Sequence, residues 1–452
     1  MDKPMRGARA ERLRRRARAR MRTCDAAAVP PAGARVSRNV AIMIVSFVAN
    51  YVASFATFPY LTRVLGPAPF GVLAYGVALA TYGTLLTEWG FGLSGPKAVV
   101  DRAGRAAALN ELIWSVSAAK VCLCVVSFAG LAVLLACTPH DPATRSVILL
   151  SWFGVLGNAL TLYWLFQGLE RFGLIAAMVV INRGVTLPLT FWLVKGPQDV
   201  ALAAAIQAAG PVVAALLSLA IAWRLGVLCA PQLSWRAIGR QLADGADSFV
   251  ASASVSLFGA ANTILLKASA GTYQAGLYAA ADKLRTVGNL VPAQLCAVLY
   301  PRITALFAHD RAAAARLTAF GAAVTLALSA AGAAFFIVWS KPLAHLVLGG
   351  EFSGAAPVLA LLCASTLFGN LAYFIGLQVL MPFGDGRARS RMILAAGLLN
   401  VALSVGLVPR HGAQGAASAF LIAQAALLVF YLVSIVGNAQ RRAYVAASWR
   451  RG

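Results

Sequence analysis

Long apolar stretches separated by short polar segments set the pattern of this chain. Twelve can be traced, beginning near residues 40, 71, 113, 147, 172, 200, 248, 277, 319, 357, 391 and 413. At roughly 22 residues each, they match the length of about 20 that a helix needs to cross a bilayer core. The pattern predicts an all-α polytopic membrane protein of about 12 transmembrane helices in two pseudo-symmetric six-helix lobes. The lobes are expected at 39–223 and 247–437, joined by a linker at 224–246 and flanked by basic tails at 1–38 and 438–452.

Composition agrees with the pattern. Of 452 residues, 60% are hydrophobic and only 12% charged, and the mean hydropathy is +0.76. Soluble domains carry about 45–50% apolar and about 25% charged residues. Eleven loops share what the spans and tails leave, about 12 residues apiece, so no independent soluble domain fits. An enzyme that needs a cytosolic or periplasmic globule is disfavoured.

The net charge of +24 invites a nucleic-acid reading, and the location of the charge argues against it. Counting Lys and Arg by loop, 29 fall on one side of the twelve spans and six on the other (Arg63, Arg145, Lys195, Lys267, Lys341 and Arg410). This is the positive-inside imbalance, which places both termini in the cytoplasm. The tail run Arg12-Leu-Arg-Arg-Arg-Ala-Arg18 has no apolar face and is expected to be disordered and to touch anionic headgroups. Met21 and Met43 offer later translation starts, and no cleavable signal peptide precedes the first span. Seven scattered cysteines lack framework spacing, and four distant histidines lack metal-ligand spacing, so neither disulfides nor a metal site are expected.

Two motifs match a pattern without its context. Gly90-Phe-Gly92-Leu-Ser-Gly95 fits GxGxxG but follows a membrane span instead of a strand. Ser117-Ala-Ala-Lys120 fits SxxK but lies in an apolar helix without its SDN and KTG companions.

The two halves repeat. Gly66-x4-Gly71 recurs as Gly271-x4-Gly276 and Pro96-Lys97 as Pro301-Arg302, both at an offset of 205. Gly157-Asn158 recurs as Gly369-Asn370 at an offset of 212, with Gln167 and Gln378 following nine and eight residues later. Six spans per half is an even number, so both halves enter the membrane in the same sense, and a substrate site is expected between them. The glycines are expected in short extracytoplasmic turns, and Pro96 and Pro301 at helix ends on the cytoplasmic surface. In the linker, Ser234 is an expected N-cap, and Trp235, Ile238 and Leu242 form one apolar face beside Arg236 and Arg240, the pattern of an interfacial helix.

Ionisable residues inside spans cost about 2.5–3.5 kcal/mol each at the centre and point to function. Arg183 lies mid-span, Lys120 a third of the way along its helix, and Lys283 and Arg285 sit beside Asp282. Glu88 lies near the end of the second span. Four cations against two acids make a basic interior suited to an anionic ligand. Asn158, Gln167, Asn370 and Gln378 could bind hydroxyl-rich ligands or serve interhelical hydrogen bonds. Glu88 and Asp282 are the candidates for a coupling proton or sodium ion, and no other cofactor is implied.

With these residues in view, the chain resembles the Wzx-type oligosaccharide flippases of the multidrug/oligosaccharidyl-lipid/polysaccharide (MOP) exporter superfamily. The resemblance rests on Phe58-Pro-Tyr-Leu-Thr-Arg-Val-Leu-Gly66, Phe70-Gly71, Trp89-Gly-Phe-Gly-Leu-Ser94, Gly276-Leu-Tyr-Ala-Ala-Ala-Asp-Lys283, Leu299-Tyr-Pro-Arg302 and Gln414-Gly-Ala-Ala417. Trp164-Leu-Phe-Gln-Gly-Leu-Glu170 is its most specific element, and the matches run from about 40 to 437. Lys97 departs from the arginine common at its position. The resemblance implies a V-shaped cavity between two lobes. It also implies alternating-access transport of undecaprenyl-pyrophosphate-linked sugar repeat units to the periplasmic leaflet, with polymerase and glycosyltransferases as pathway partners. A MATE-type drug antiporter is the alternative, disfavoured because span 1 (41–60) has no Asp or Glu. A membrane polysaccharide polymerase or ligase is a second alternative, disfavoured by the absence of a long outward loop.

Overall fold

The computed structural model describes residues 36–102, 104–229 and 234–447. The expectations for most of the N-terminal tail, for Pro231 and for the end of the C-terminal tail lie outside the described residues. The described chain is helical: α1 (Val36–Leu65), α2 (Pro67–Glu88), α3 (Phe91–Val100), α4 (Ala106–Cys137), α5 (Pro142–Leu160), α6 (Tyr163–Gly168), α7 (Phe172–Leu193), α8 (Val200–Arg224), α9 (Trp235–Gly288), α10 (Leu290–His309), α11 (Arg311–Val338), α12 (Ala355–Ile375), α13 (Gly386–Val436) and α14 (Ala439–Ala447).

Among the described residues, nine helical stretches are long and apolar enough to cross a membrane. Adding α1, the two arms of α9 (the second running on into α10, which is already among the nine) and the second arm of α13 gives the twelve passes expected. α9 breaks at Gly271 (φ 88°) and α13 at Gly412 (φ 53°), left-handed backbone that favours glycine. Each of these long helices therefore supplies two passes.

Pro96 and Pro301 lie inside α3 and α10, which continue to Val100 and His309, so the expectation that they end helices is corrected. Each removes one intrahelical hydrogen bond, Pro96 in the second turn of α3 and Pro301 in the middle of α10. Asp141 and Asp310 cap α5 and α11, accepting from the amides of Thr144 (2.9 Å) and of Ala312 and Ala313 (3.0 and 2.9 Å).

The chain forms two compact units. The first comprises Met1–Thr57, Ala80–Val194 and Ala201–Phe249. Its core gathers Phe91, Ile113, Val116, Trp164, Phe166 and Met178. Three residues of the Trp164–Glu170 motif (Trp164, Leu165, Phe166) are buried there, and Gly95 leaves the room that the Trp164 ring occupies. The GxGxxG look-alike is thus a packing surface. Ile238 and Leu242 join the same core, while Trp235 is 81% exposed. Ser234 caps the helix start through the amide of Ala237 (3.4 Å), but that helix is the first part of α9.

The second unit comprises Phe58–Leu79, Lys195–Val200 and Val250–Gly452. A polar knot lies at its centre, where Asn262 bonds Tyr278, Asn400 and Ser404, all buried. α14 docks through Tyr444 against Phe307 and Phe383, and Arg441 pairs with Asp385.

Candidate functional site

In the first unit, Gly157 permits a close approach of α5 to α8: a Cβ there would meet the Pro211 carbonyl carbon at 2.6 Å. That approach turns the next residue, Asn158, into a cavity of about 370 Å³. Asn50 from α1, Asn182 and Phe172 from α7, Thr161 and Tyr163 complete its polar and aromatic lining. Gly210 leaves space for Asn182, since a Cβ on it would fall 2.5 Å from the amide oxygen.

Arg183 bonds one residue of this lining without being part of it: its Nε donates to Asn50 Oδ1 at 2.8 Å. Among the described residues no carboxylate pairs with it. A half-buried guanidinium with one neutral partner is stable only where water or an anion can reach its remaining donors.

The other sequence-predicted cations sit differently. Lys120 is 2% exposed and its Nζ lies 2.9 Å from Glu88 Oε1, so a substrate candidate and a coupling candidate neutralise each other across α4 and α2. In the second unit Arg285 donates to Asp282 at 2.8 Å through Nε and covers the Phe420 ring at 4.9 Å. Lys283, between them on the same helix, is exposed. Asn370 donates to Ser329 (3.0 Å) and Asn289 (3.2 Å), and with Arg285 lines a much smaller cleft. Gln378 is fully buried in the π-helical turn that prolongs α12, donating to the Cys296 carbonyl at 2.8 Å. Gln167 is exposed at the end of α6 and does not line the first cavity. The predicted residues are therefore not one cluster. Asn158 lines one cavity beside Asn50, the partner of Arg183; Lys120 and Arg285 are held in ion pairs, Asn370 and Gln378 tie helices together, and Gln167 and Lys283 are exposed.

Sequence reasoning missed Asn50. A signal was present: Asn50 and Asn262 are separated by 212, the offset of Asn158 and Asn370. In each unit that asparagine reaches the fifth helix of its half, Arg183 in one and Asn400 in the other. Among the described residues no group of three His, Cys, Asp or Glu could hold a metal.

Comparison with known proteins places this geometry. The chain is 27% identical over 402 residues to the "Putative O-antigen transporter" of Escherichia coli (strain K12), covering 89% of this chain and 97% of that protein. Two solved structures share the fold at a TM-score of 0.68. One is an inward-facing multidrug resistance MATE family transporter of the MOP superfamily (13% identity, 88% of this chain and 95% of that one). The other is the lipid II flippase MurJ in an inward closed conformation (12% identity, 90% of each chain). At these identities the structures speak for the fold alone, that of a multi-pass helical membrane protein. The resemblance to Wzx-type flippases of the MOP superfamily is borne out, and residues 36–307, more than half of the sequence, match the family described as "Polysaccharide biosynthesis protein", to which this chain belongs.

Proposed function

We propose that the protein is a flippase carrying undecaprenyl-pyrophosphate-linked oligosaccharide repeat units across the bacterial inner membrane by alternating access, for surface polysaccharide assembly. The observation that supports the reading is Arg183, a membrane-interior cation bonded to the neutral Asn50, which itself lines an amide-rich cavity. An anion with hydroxyl-rich substituents complements Arg183 and that lining together, and no covalent chemistry is required. The polyprenyl tail stays in lipid. Differential affinity of the two access states for the loaded lipid drives the shift between them.

Glu88 and Asp282 are the acids through which proton or sodium coupling would act. Each is engaged by a cation, so protonation would release Lys120 or Arg285 respectively. Both termini lie in the cytoplasm, where glycosyltransferases deliver the substrate, and a polymerase receives it on the other side. The MATE-type alternative has the weaker support, because Arg183, which has no carboxylate partner among the described residues, disfavours cationic drugs.

Deletion of the gene tests the proposal. The expected result is loss of surface polysaccharide with accumulation of polyprenyl-linked repeat units in the membrane fraction, reversed by the gene in trans. Unchanged polysaccharide together with altered susceptibility to cationic drugs would overturn it in favour of the antiporter.

A further inference from the structure

Resting on the flippase reading, a difference between the two halves narrows what is bound and where. We infer that the cavity of the first unit holds one uncharged sugar residue of the carried repeat unit, and that the matching amides of the second unit are bracing that takes no ligand.

The repeated asparagine is used differently in the two halves. Asn370 donates to Ser329 at 3.0 Å and to Asn289 at 3.2 Å, so its amide ties α12 to α11 and to the start of α10. Asn158, 212 residues earlier, lines the cavity, and among the described residues its side chain has no hydrogen-bond partner. The same is true of the Asn182 side chain, and the residue 212 positions after it is Leu394, so the second half has no amide there. The glycines before the repeated asparagines differ likewise. A Cβ on Gly157 would meet the backbone of α8, whereas one on Gly369 would lie 3.1 Å from the side-chain oxygen of Gln424, at the position where α8 has Val212. The second half spends its amides on itself, and the first leaves them free around a cavity.

Amides inside a membrane bundle ordinarily bond across helices, because an unsatisfied one is costly away from water. Two that make no such bond and share one cavity have their partners in what fills it. The lining then sets the class of ligand. No charged side chain is part of it, so a carboxylate or phosphate entering would lose water without gaining a counter-charge. Each amide both donates and accepts, which matches ring hydroxyls. Tyr163 and Phe172 supply the apolar surface on which the C–H face of a pyranose packs. A cavity of about 370 Å³ lies at the small end of ligand sites, which span about 300–1,000 Å³, and suits one sugar residue better than a whole oligosaccharide.

The test is saturation-transfer NMR titration of the purified full-length protein in nanodiscs, with the melting midpoint of every variant measured beside it. The probes are the methyl glycosides of glucose, galactose, mannose, rhamnose and N-acetylglucosamine, with sodium glucuronate and galacturonate as charged counterparts. At least one neutral glycoside should bind several-fold more tightly than either uronate. Asn158→Ala and Asn182→Ala should each weaken it about three- to tenfold, as the loss of a neutral hydrogen bond implies, with the melting midpoint kept. Asn370→Ala should do the reverse, lowering the midpoint and leaving the glycoside affinity within about twofold. Four results would each overturn the inference: no binding of any neutral glycoside, uronate binding as tight or tighter, affinity unchanged in the Asn158 and Asn182 variants, or a midpoint that falls in Asn158→Ala as far as in Asn370→Ala. None of them touches the flippase reading, which stands or falls on accumulation of lipid-linked repeat units in the deletion strain.

Discussion

Gly71 and Gly276 are 205 residues apart in the chain and back to back in the second unit. A Cβ on Gly71 would overlap the carbonyl oxygen of Thr272 and lie 2.8 Å from the Gly276 nitrogen, and one on Gly276 would overlap the carbonyl oxygen of Pro67. The repeated motif thus makes its own contact: equivalent helices of the two halves meet at equivalent residues. Neither neighbour is a flexible side chain that could move aside. Gly71→Ala or Gly276→Ala should therefore separate two backbones, at the roughly 1–3 kcal/mol or more that overpacking costs. In detergent each variant should melt several degrees below the parent. The double variant should lose little more than either single one, because the first substitution already opens the contact. Two single variants with unchanged melting midpoints would show that the contact is absent.

The Lys120–Glu88 pair predicts an asymmetric response. Lys120 is 2% exposed, whereas Glu88 is 38% exposed. Glu88→Gln strands a buried ammonium and should cost about 3 kcal/mol, the lower end of the range for breaking a buried pair. Lys120→Met leaves a carboxylate that can turn to solvent and should cost much less. The combined variant Glu88→Gln/Lys120→Met should recover most of the stability lost by Glu88→Gln alone. Thermal unfolding of the three variants checks this, and equal losses in the two single variants would refute the asymmetry.

The helices and the repeat were legible because lipid imposes length and apolarity on every span and because duplicated motifs keep their spacing. The Trp164–Glu170 motif pointed to the family, and Trp164, Leu165 and Phe166 are buried in the core of the first unit. What the sequence hid was pairing. Lys120 and Glu88 are 32 residues apart and Arg183 and Asn50 133 apart, and nothing local says that they meet. The interior cations consequently read as one basic cluster, when two of them are neutralised by the acids assigned to ion coupling. Trp235, Ile238 and Leu242 show the same limit. Helical spacing places residues on a face without saying what the face touches, and here core packing claims Ile238 and Leu242 while Trp235 stays outside.

Arg183→Ala removes a cation whose described bond is to one neutral amide, so its loss should matter to the ligand more than to the fold. Protein level should stay within about twofold of the parent while surface polysaccharide falls below detection, because a charge-assisted pair is worth roughly 1.5–3 kcal/mol and its absence from a transport cycle compounds over binding and reorientation. Asn50→Ala should give a milder defect, since it frees the guanidinium without removing it. Immunoblotting of membranes beside polysaccharide gels separates the two effects. Wild-type polysaccharide in the Arg183→Ala strain would remove this residue from the site.

Lys97 and Arg302 tie the repeat to the orientation in the membrane. Each follows the proline of its motif, at the same offset of 205, in a helix that extends the second pass of its half, and both side chains are exposed. If six passes per half set the same sense for both, the two positions must lie on one face, and the excess of Lys and Arg assigns that face to the cytoplasm. Cysteines introduced singly at 97 and 302, in a background whose native cysteines are replaced, should therefore react with a membrane-impermeant maleimide in inverted vesicles and be protected in intact cells. A cysteine at Lys195, between α7 and α8 and on the opposite side by the same count, should behave in the reverse way. Labelling of 97 and 302 from different sides would break the parallel entry of the halves, and labelling of both from outside would keep the repeat and invert the protein.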